Sequence, residues 1–456
     1  MEGSNIKYNS NSNIKNNLKF ILPSLLGIIL FMIPIKYNDK ITIPVAIFSN
    51  ALVNFLGSSL IYIITFILVI SAVISIITKI FKPKFILENS FLKTLFNIGP
   101  LWLLARVIGA IFSLLTLFGI GSEFIIGDST GAFVLNDLLT VLFSIFLFAG
   151  LLLPLLLNFG LLEFFGALLT KVMRPIFKLP GRSSIDCITS WLGDGTLGIL
   201  LTSKQYEDGF YTKREAATIS TTFSAVSITF SLVVISQVGL SHMFIPFYLT
   251  VSFAGIVAAI IVPRIPPLSR KSDTYYNDNI KENLEVIPEG YNSFSWGYKN
   301  ALEKAVNAYD IKKFFTEGFK NVLDMWLGVL PVVMCLATLA LIIAEYTTIF
   351  QVLGTPFIPI LKLLQVPEAT AASQTLIVGF ADMLLPSVLA ANTITNEMTK
   401  FIVACVSVTQ LVYMSEVGGL LLGSKIPVNL KDLILIFLER TLITLPVIVL
   451  IANLLF

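Results

Sequence analysis

The sequence predicts an all-α polytopic membrane protein of about nine transmembrane helices, built as an inverted repeat with two re-entrant helical hairpins. Three observations predict it. Charged residues make up only 13% of the chain and the mean hydropathy is +0.86, whereas soluble domains carry about 25% charged residues. Apolar runs near the ~20 residues that a spanning helix needs recur along the chain. Two further segments are apolar at their ends but carry breakers and polar residues in the middle, so neither fits as one straight span.

In chain order, the polar tail MEGSNIKYNSNSNIKNN leads into a first apolar run with no small-residue cleavage site, which reads as an uncleaved span. Spans are expected at 18–35, 55–78, 97–119, 138–158, 213–237, 243–262, 322–345, 397–421 and 433–455. Segment 41–54 reads either as an interfacial helix outside or as part of a longer second span. The interrupted segments are 183–210 and 367–394. Between the halves lies a polar loop, 263–320. Its section 268–300 has the composition of a linker, and AYDIKKFFTEGFKN (308–321) reads as an amphipathic helix lying at the interface.

Lysines and arginines of short loops stay cytoplasmic, which tests this order. The N-terminus carries Lys7, Lys15 and Lys19, placing it in the cytoplasm of a bacterial-type inner membrane. Residues 107–170 contain no basic residue, and the loop 263–320 contains nine. Lys36, Lys40, Lys362 and Lys400 are scattered exceptions. The alternation works only if 183–210 enters and leaves on the cytoplasmic side and 367–394 on the outer side. The chain then divides into a tail with scaffold helices (1–137), a first repeat (138–262), a cytoplasmic loop (263–320) and a second repeat (321–456).

Such paired, oppositely facing broken elements are the architecture of secondary transporters, with the substrate site near the midplane. Non-helical backbone at that depth must be buried in protein or line a water-filled cavity. The first tip is Gly193-Asp194-Gly195-Thr196 and the second is Gly379-Phe380-Ala381-Asp382. A carboxylate at the bilayer centre costs about 2.5–3.5 kcal/mol on insertion scales, so one at each tip argues for a paired polar site. The alternative is a carboxylate capping a half-helix, and the two roles can coincide. Ser373, Gln374 and Thr375 enter the second hairpin. The hydroxyls of Ser220, Thr221, Thr222, Ser224 and Ser227 offer hard oxygen ligands for Na⁺, or small-residue packing between helices. Gln410, Ser415 and Glu416 follow the second tip, with Glu416 read as substrate contact, proton carrier or ion-pair partner. Arg106 is expected to pair with Glu163 or Glu439 and stabilise the scaffold, a substrate role being the alternative; Glu439 and Arg440 are alternatively satisfied separately, by partners on other helices. His242 is the sole histidine, and Cys187, Cys335 and Cys405 lack a CxxC neighbour, so neither a histidine-pair metal site nor a structural zinc site is expected.

The run GDGTLGILLTSKQYEDGFYTKREAATISTTFSAVS (193–227) resembles the Gate, or nucleoside-recognition, domain, and GFADMLLPSVLAANTITNEMTKFIVACVSVTQLVYMSEVGG (379–419) resembles its second copy. The arrangement is similar to the YjiH-like branch and, more remotely, to concentrative nucleoside transporters. The resemblance implies a first tip that contacts a base, where Gly193-Asp194-Gly195-Thr196 replaces a GQTE-type motif. Thr212-Lys213-Arg214-Glu215 takes the place of the Thr-Arg-Ser-Glu run that opens the next helix. The resemblance further implies a second-tip acid, here Asp382, that holds ribose with help from Gln410 and Ser415, although the family's Asn is lost. It also implies a cation between the first hairpin and the helix bearing Ser224, and association into a homo-oligomer.

The expected function is therefore secondary transport of a small polar solute by alternating access, coupled to Na⁺ or H⁺. The solute is a nucleoside, a nucleobase or a small zwitterion such as an amino acid. The expected substrate contacts are Asp194, Gly195, Thr196, Gln374, Asp382, Gln410, Ser415 and Glu416, and the expected ion ligands are Ser220, Thr222, Ser224 and Ser227. A membrane assembly partner or ligand sensor is the alternative. No enzymatic activity, cofactor, metal or nucleic-acid partner is expected: Asp194 and Asp382 lack the YD and GxGD contexts of intramembrane aspartyl proteases.

Overall fold

Proline and glycine punctuate the helices as their backbone chemistry requires. Pro44 and Pro100 open helices at the first turn, where a missing N–H costs nothing, and Gly57 and Gly119 end them with positive φ. The computed structural model describes residues 10–33, 35–37, 40–193, 195–223, 226, 228–276, 287–307 and 311–456. Among these, the one sheet is a two-stranded hairpin, Ile35–Tyr37 with Lys40–Thr42. Everything else of regular structure is helix.

Among the described residues, seven helices are long and apolar enough to cross a bilayer, against about nine expected: Ser59–Phe81, Pro100–Phe118, Glu123–Leu157, Ser241–Arg270, Lys312–Tyr346, Glu397–Gly423 and Leu430–Leu455. The first expected span lies in the helix Ser10–Met32, but its apolar part, Asn16–Met32, is too short to count. The expected span 213–237 is not one helix. It runs as Lys213–Thr218, widens into a π turn at Ile219–Phe223, and resumes at Ile228–Gln237. The hydroxyl-rich stretch lies where continuity is lost. Segment 41–54 belongs mostly to a helix of its own, Pro44–Leu56, packed on Leu139–Leu152.

The loop 263–320 is more structured than its composition suggests. Ser293–Asn307 is a helix lying along Leu161–Phe177. Ile311–Asp324 does not stand apart as an interfacial helix. It continues through a π turn, Met325–Val329, into Leu330–Tyr346. Helix Pro100–Phe118 crosses Leu330–Tyr346 so closely that a Cβ on Gly109 would collide with the Pro331 carbonyl, the small-residue contact that lets membrane helices meet backbone to backbone.

Arg106 is buried on this scaffold, but its partners differ from those expected. Its Nη1 donates to Ser75 Oγ at 3.0 Å and to the Leu95 carbonyl at 2.9 Å. Glu163 instead faces Arg182 at 3.7 Å and Lys304 at 3.9 Å. These choices follow proximity along and between helices, which spacing alone does not reveal.

At the centre, Glu397–Gly423 lies almost wholly inside the protein. It packs against Leu430–Leu455 and Phe244–Ile261.

Candidate functional site

Two short helix pairs carry the expected tip segments. In the first, Ser183–Ile188 and its π turn Thr189–Gly193 fold back on Gly195–Glu207. A buried network fastens the pair. Asp186 accepts from Thr202 Oγ1 at 2.9 Å and from Gln205 Nε2 at 2.7 Å. Arg182 Nε donates to Gln205 Oε1 at 2.7 Å and its guanidinium lies over the Phe210 ring. A carboxyl group this deep is tolerated because each oxygen is hydrogen-bonded. Asp194 falls outside the described residues. Gly195 opens the second helix and Thr196 is buried beside it.

In the second pair, Ala369–Leu376 passes through a 3₁₀ turn, Val378–Phe380, before Leu385–Thr393. Asp382 occupies the connection. Its Oδ1 accepts from the Leu384 N–H at 2.8 Å, and its Oδ2 accepts from Ser415 Oγ at 2.7 Å. The Ser415 N–H donates to the Ala381 carbonyl at 2.9 Å. The carboxylate thus orders its own turn and also ties the tip to the neighbouring span.

That span is broken where the tip meets it. Glu397–Gln410 stops at Leu411, whose φ of +59° is strained for a residue with a Cβ. Helix resumes as a π turn at Met414–Gly418. Gln410 stands at the break, donating from Nε2 to the Leu376 carbonyl and to Thr441 Oγ1, both at 2.9 Å. Its Oε1 is buried with no hydrogen-bond partner among the described residues. Gly379 is required opposite it, because a Cβ there would overlap that oxygen.

The break leaves carbonyls without helical partners, and Arg440 takes one of them together with a carbonyl of the span 213–237. From the last helix its Nε donates to the Thr409 carbonyl at 2.8 Å and its Nη1 to the Thr222 carbonyl at 3.1 Å. Trp191 Nε1 donates to the Phe223 carbonyl at 3.0 Å. Thr409 stands just before the break in its span, and Thr222 lies in the π turn Ile219–Phe223. Arg440 is 1% exposed and forms no ion pair among the described residues. The C-terminal end of Glu397–Gln410, equivalent to roughly half a negative charge, faces it instead, beside the Thr222 carbonyl. A small cavity lies beside it, lined by Arg440, Thr222, Thr409, Trp191 and Tyr248.

The expected residues divide accordingly. Asp382, Gln410 and Ser415 are brought together at the second tip. Glu416, half-buried, follows Ser415 and accepts from Tyr413 OH at 3.3 Å. Gln374 is exposed and is not turned into this cluster. Of the ion ligands, Thr222 presents its carbonyl to Arg440, and Ser220 Oγ is buried without a hydrogen-bond partner among the described residues. Ser224 and Ser227 lie outside the described residues. Sequence reasoning missed the role of Arg440. The signal was a fixed cation in an apolar run, but its partners are main-chain carbonyls, which no residue pattern encodes.

Outside the spans, Glu368 sits exposed at the mouth of the second pair. Hydrogen bonds from the Thr395 hydroxyl and N–H hold its carboxyl below the ordinary value.

A family model described as Gate, nucleoside recognition, matches residues 139–241. An uncharacterized protein of Alkalihalophilus pseudofirmus is 54% identical over 441 residues, covering 97% of this chain and 95% of that protein. No solved structure matches the chain.

Proposed function

The chain belongs to the Gate, nucleoside-recognition, family of integral membrane proteins, and on that premise we propose that it is a secondary transporter of a small polar solute. In this reading 183–210 and 367–394 are re-entrant hairpins that open to opposite sides, within an inverted repeat of 138–262 and 321–456. Their tips and the two broken spans enclose the solute site. The scaffold of 1–137 is the body against which this core rocks, and the N-terminus faces the cytoplasm.

One observation carries the reading. The interruptions of two spans, one in each half, meet at a single buried guanidinium, beside a tip carboxylate docked on the second break. A protein that needed only to stay folded could use continuous helices there. Broken ones expose hydrogen-bonding groups at depth, the means by which transporters of this architecture hold polar cargo. Asp382, Ser415 and Glu416 are the proposed solute contacts, with Asp194, Gly195 and Thr196 from the first tip. The solute is a nucleoside, a nucleobase or a small zwitterion, and the driving ion is Na⁺ or H⁺. Ser220 and Thr222, with Ser224 and Ser227, are the proposed ligands if the ion is Na⁺.

Uptake by proteoliposomes tests this directly. Flux of at least one solute from a nucleoside, nucleobase and amino-acid panel should rise with an inward Na⁺ or proton gradient. Gradient-independent, background-level flux for every solute, in monodisperse protein, contradicts it.

A further inference from the structure

A second cavity, of about 280 Å³, lies well away from the tips. It is near the ~300 Å³ lower end of small-molecule pockets. One wall is the far end of Gly195–Glu207, contributing Ser203, Lys204 and Glu207. The facing wall is the end of Ile311–Asp324, contributing Lys320, Asn321 and Asp324. Along its helix, Ser203 lies eight residues past Gly195, or about 12 Å at 1.5 Å per residue. The cavity is therefore separate from the tip cluster.

Its charges are arranged in pairs. Each wall offers one ammonium and one carboxylate about one helical turn apart: Lys204 with Glu207, and Lys320 with Asp324. Neighbours at such spacing sit about 5–6 Å apart on a helix surface. Lys204 lies 3.8 Å from Asp208, and Lys320 points toward the Phe91 ring. Glu207 and Asp324, both half-buried, form no ion pair among the described residues. The hydrogen bond that Glu207 accepts from Ser203 Oγ is a long one, 3.4 Å.

Two half-buried carboxylates with no cation in close ion-pair contact among the described residues, Arg106 being a more distant positive neighbour of Asp324 and Lys204 and Lys425 of Glu207, favour a ligand that brings an ammonium group. A neutral ligand would desolvate them and give nothing back. A simple anion would be repelled by them, and a simple polycation by the two lysines. A molecule with one charge of each sign suits all four groups. We propose that this cavity is a binding site for a small zwitterion of the amino-acid class, its ammonium held between Glu207 and Asp324 and its carboxylate by Lys204 and Lys320. The assignment deepens the transporter reading by choosing the solute class, and rests on it only for the site's purpose. Binding itself requires no transport.

Equilibrium binding to detergent-solubilised full-length protein tests it, with L-serine, L-leucine and 4-aminobutyrate as probes. Ethanolamine and 3-hydroxypropionate, each lacking one of serine's charged groups, and uridine are the controls. At least one zwitterion should bind more tightly than all three controls. Glu207→Gln and Asp324→Asn should each weaken it at least tenfold. Lys320→Gln, at an exposed position where folding is not at risk, should weaken it severalfold. Lys313→Gln, at an exposed position of the same helix that does not line the cavity, should leave it unchanged. Zwitterion binding that survives all three cavity substitutions overturns the proposal, as does binding of uridine alone or of no probe. Gradient-driven flux of a solute other than a zwitterion would then keep the transporter reading while this site falls.

Discussion

Arg440 Nη1 donates to the carbonyl of Thr222, 218 residues earlier in the chain, at 3.1 Å. The same guanidinium holds the Thr409 carbonyl at 2.8 Å. One side chain therefore joins the interruptions of two spans, and its planar fork makes this possible. Lysine, with a single ammonium, cannot reproduce two fixed donor directions. Arg440→Lys should lower the apparent unfolding temperature in detergent, and Arg440→Ala more so, by the equivalent of about 2–5 kcal/mol for orphaned buried carbonyls. A wild-type melting curve for Arg440→Ala would show that the carbonyls have other partners.

Asp382 has two jobs, ordering the turn at Leu384 and meeting Ser415. Asparagine keeps one side-chain oxygen and removes the charge. Asp382→Asn should therefore express and fold normally but cut uptake at least tenfold. Ser415→Ala should cut it severalfold, and the double variant should lose less than the product of the two, since the residues share one contact. Unchanged flux in Asp382→Asn would remove the tip from the solute path.

Ser220 Oγ is buried and lacks a hydrogen-bond partner among the described residues. An oxygen left in that condition is available to an ion. With Na⁺ driving transport, Ser220→Ala should raise the Na⁺ concentration for half-maximal uptake severalfold and leave the maximal rate nearly intact. An unchanged value assigns Ser220 to packing.

The Glu368 carboxyl is held below its ordinary value of 4.5 by Thr395. A depressed value means the folded form prefers the ionised group. The contact's contribution is thus complete above pH 4.5 and is lost as pH falls through the folded value. Hydrogen exchange in segment 395–400 should quicken on such acidification, and Glu368→Gln should abolish that dependence. The effect should be small, because the group is exposed. Acid-independent exchange in the wild type would contradict it.

The fold was largely legible where physics is local. Apolar length set most of the spans, and glycine and proline marked helix ends such as Gly57 and Gly119. The two interrupted segments stood out because Asp194 in the first, and Asp382 and Pro386 in the second, are costly in a straight span. The split within 213–237 was less visible, since hydroxyls at Ser220 to Thr222 pack acceptably in a continuous helix. The partners of Arg106 and Arg440 were illegible because both bond main-chain carbonyls, freed only once the chain has bent. Gln374 shows the limit of reading chemistry without helix phase. It has suitable chemistry near a tip, but the helix phase leaves it exposed.

The account stands on 183–210 and 367–394 reaching inward from opposite sides. Single cysteines at Asp208 and Asn392, with Cys187, Cys335 and Cys405 replaced, test this in sealed vesicles of known orientation using an impermeant thiol reagent. The account predicts Asp208→Cys labelled only from the cytoplasmic side and Asn392→Cys only from the outer side. Labelling of both from the same side would contradict it.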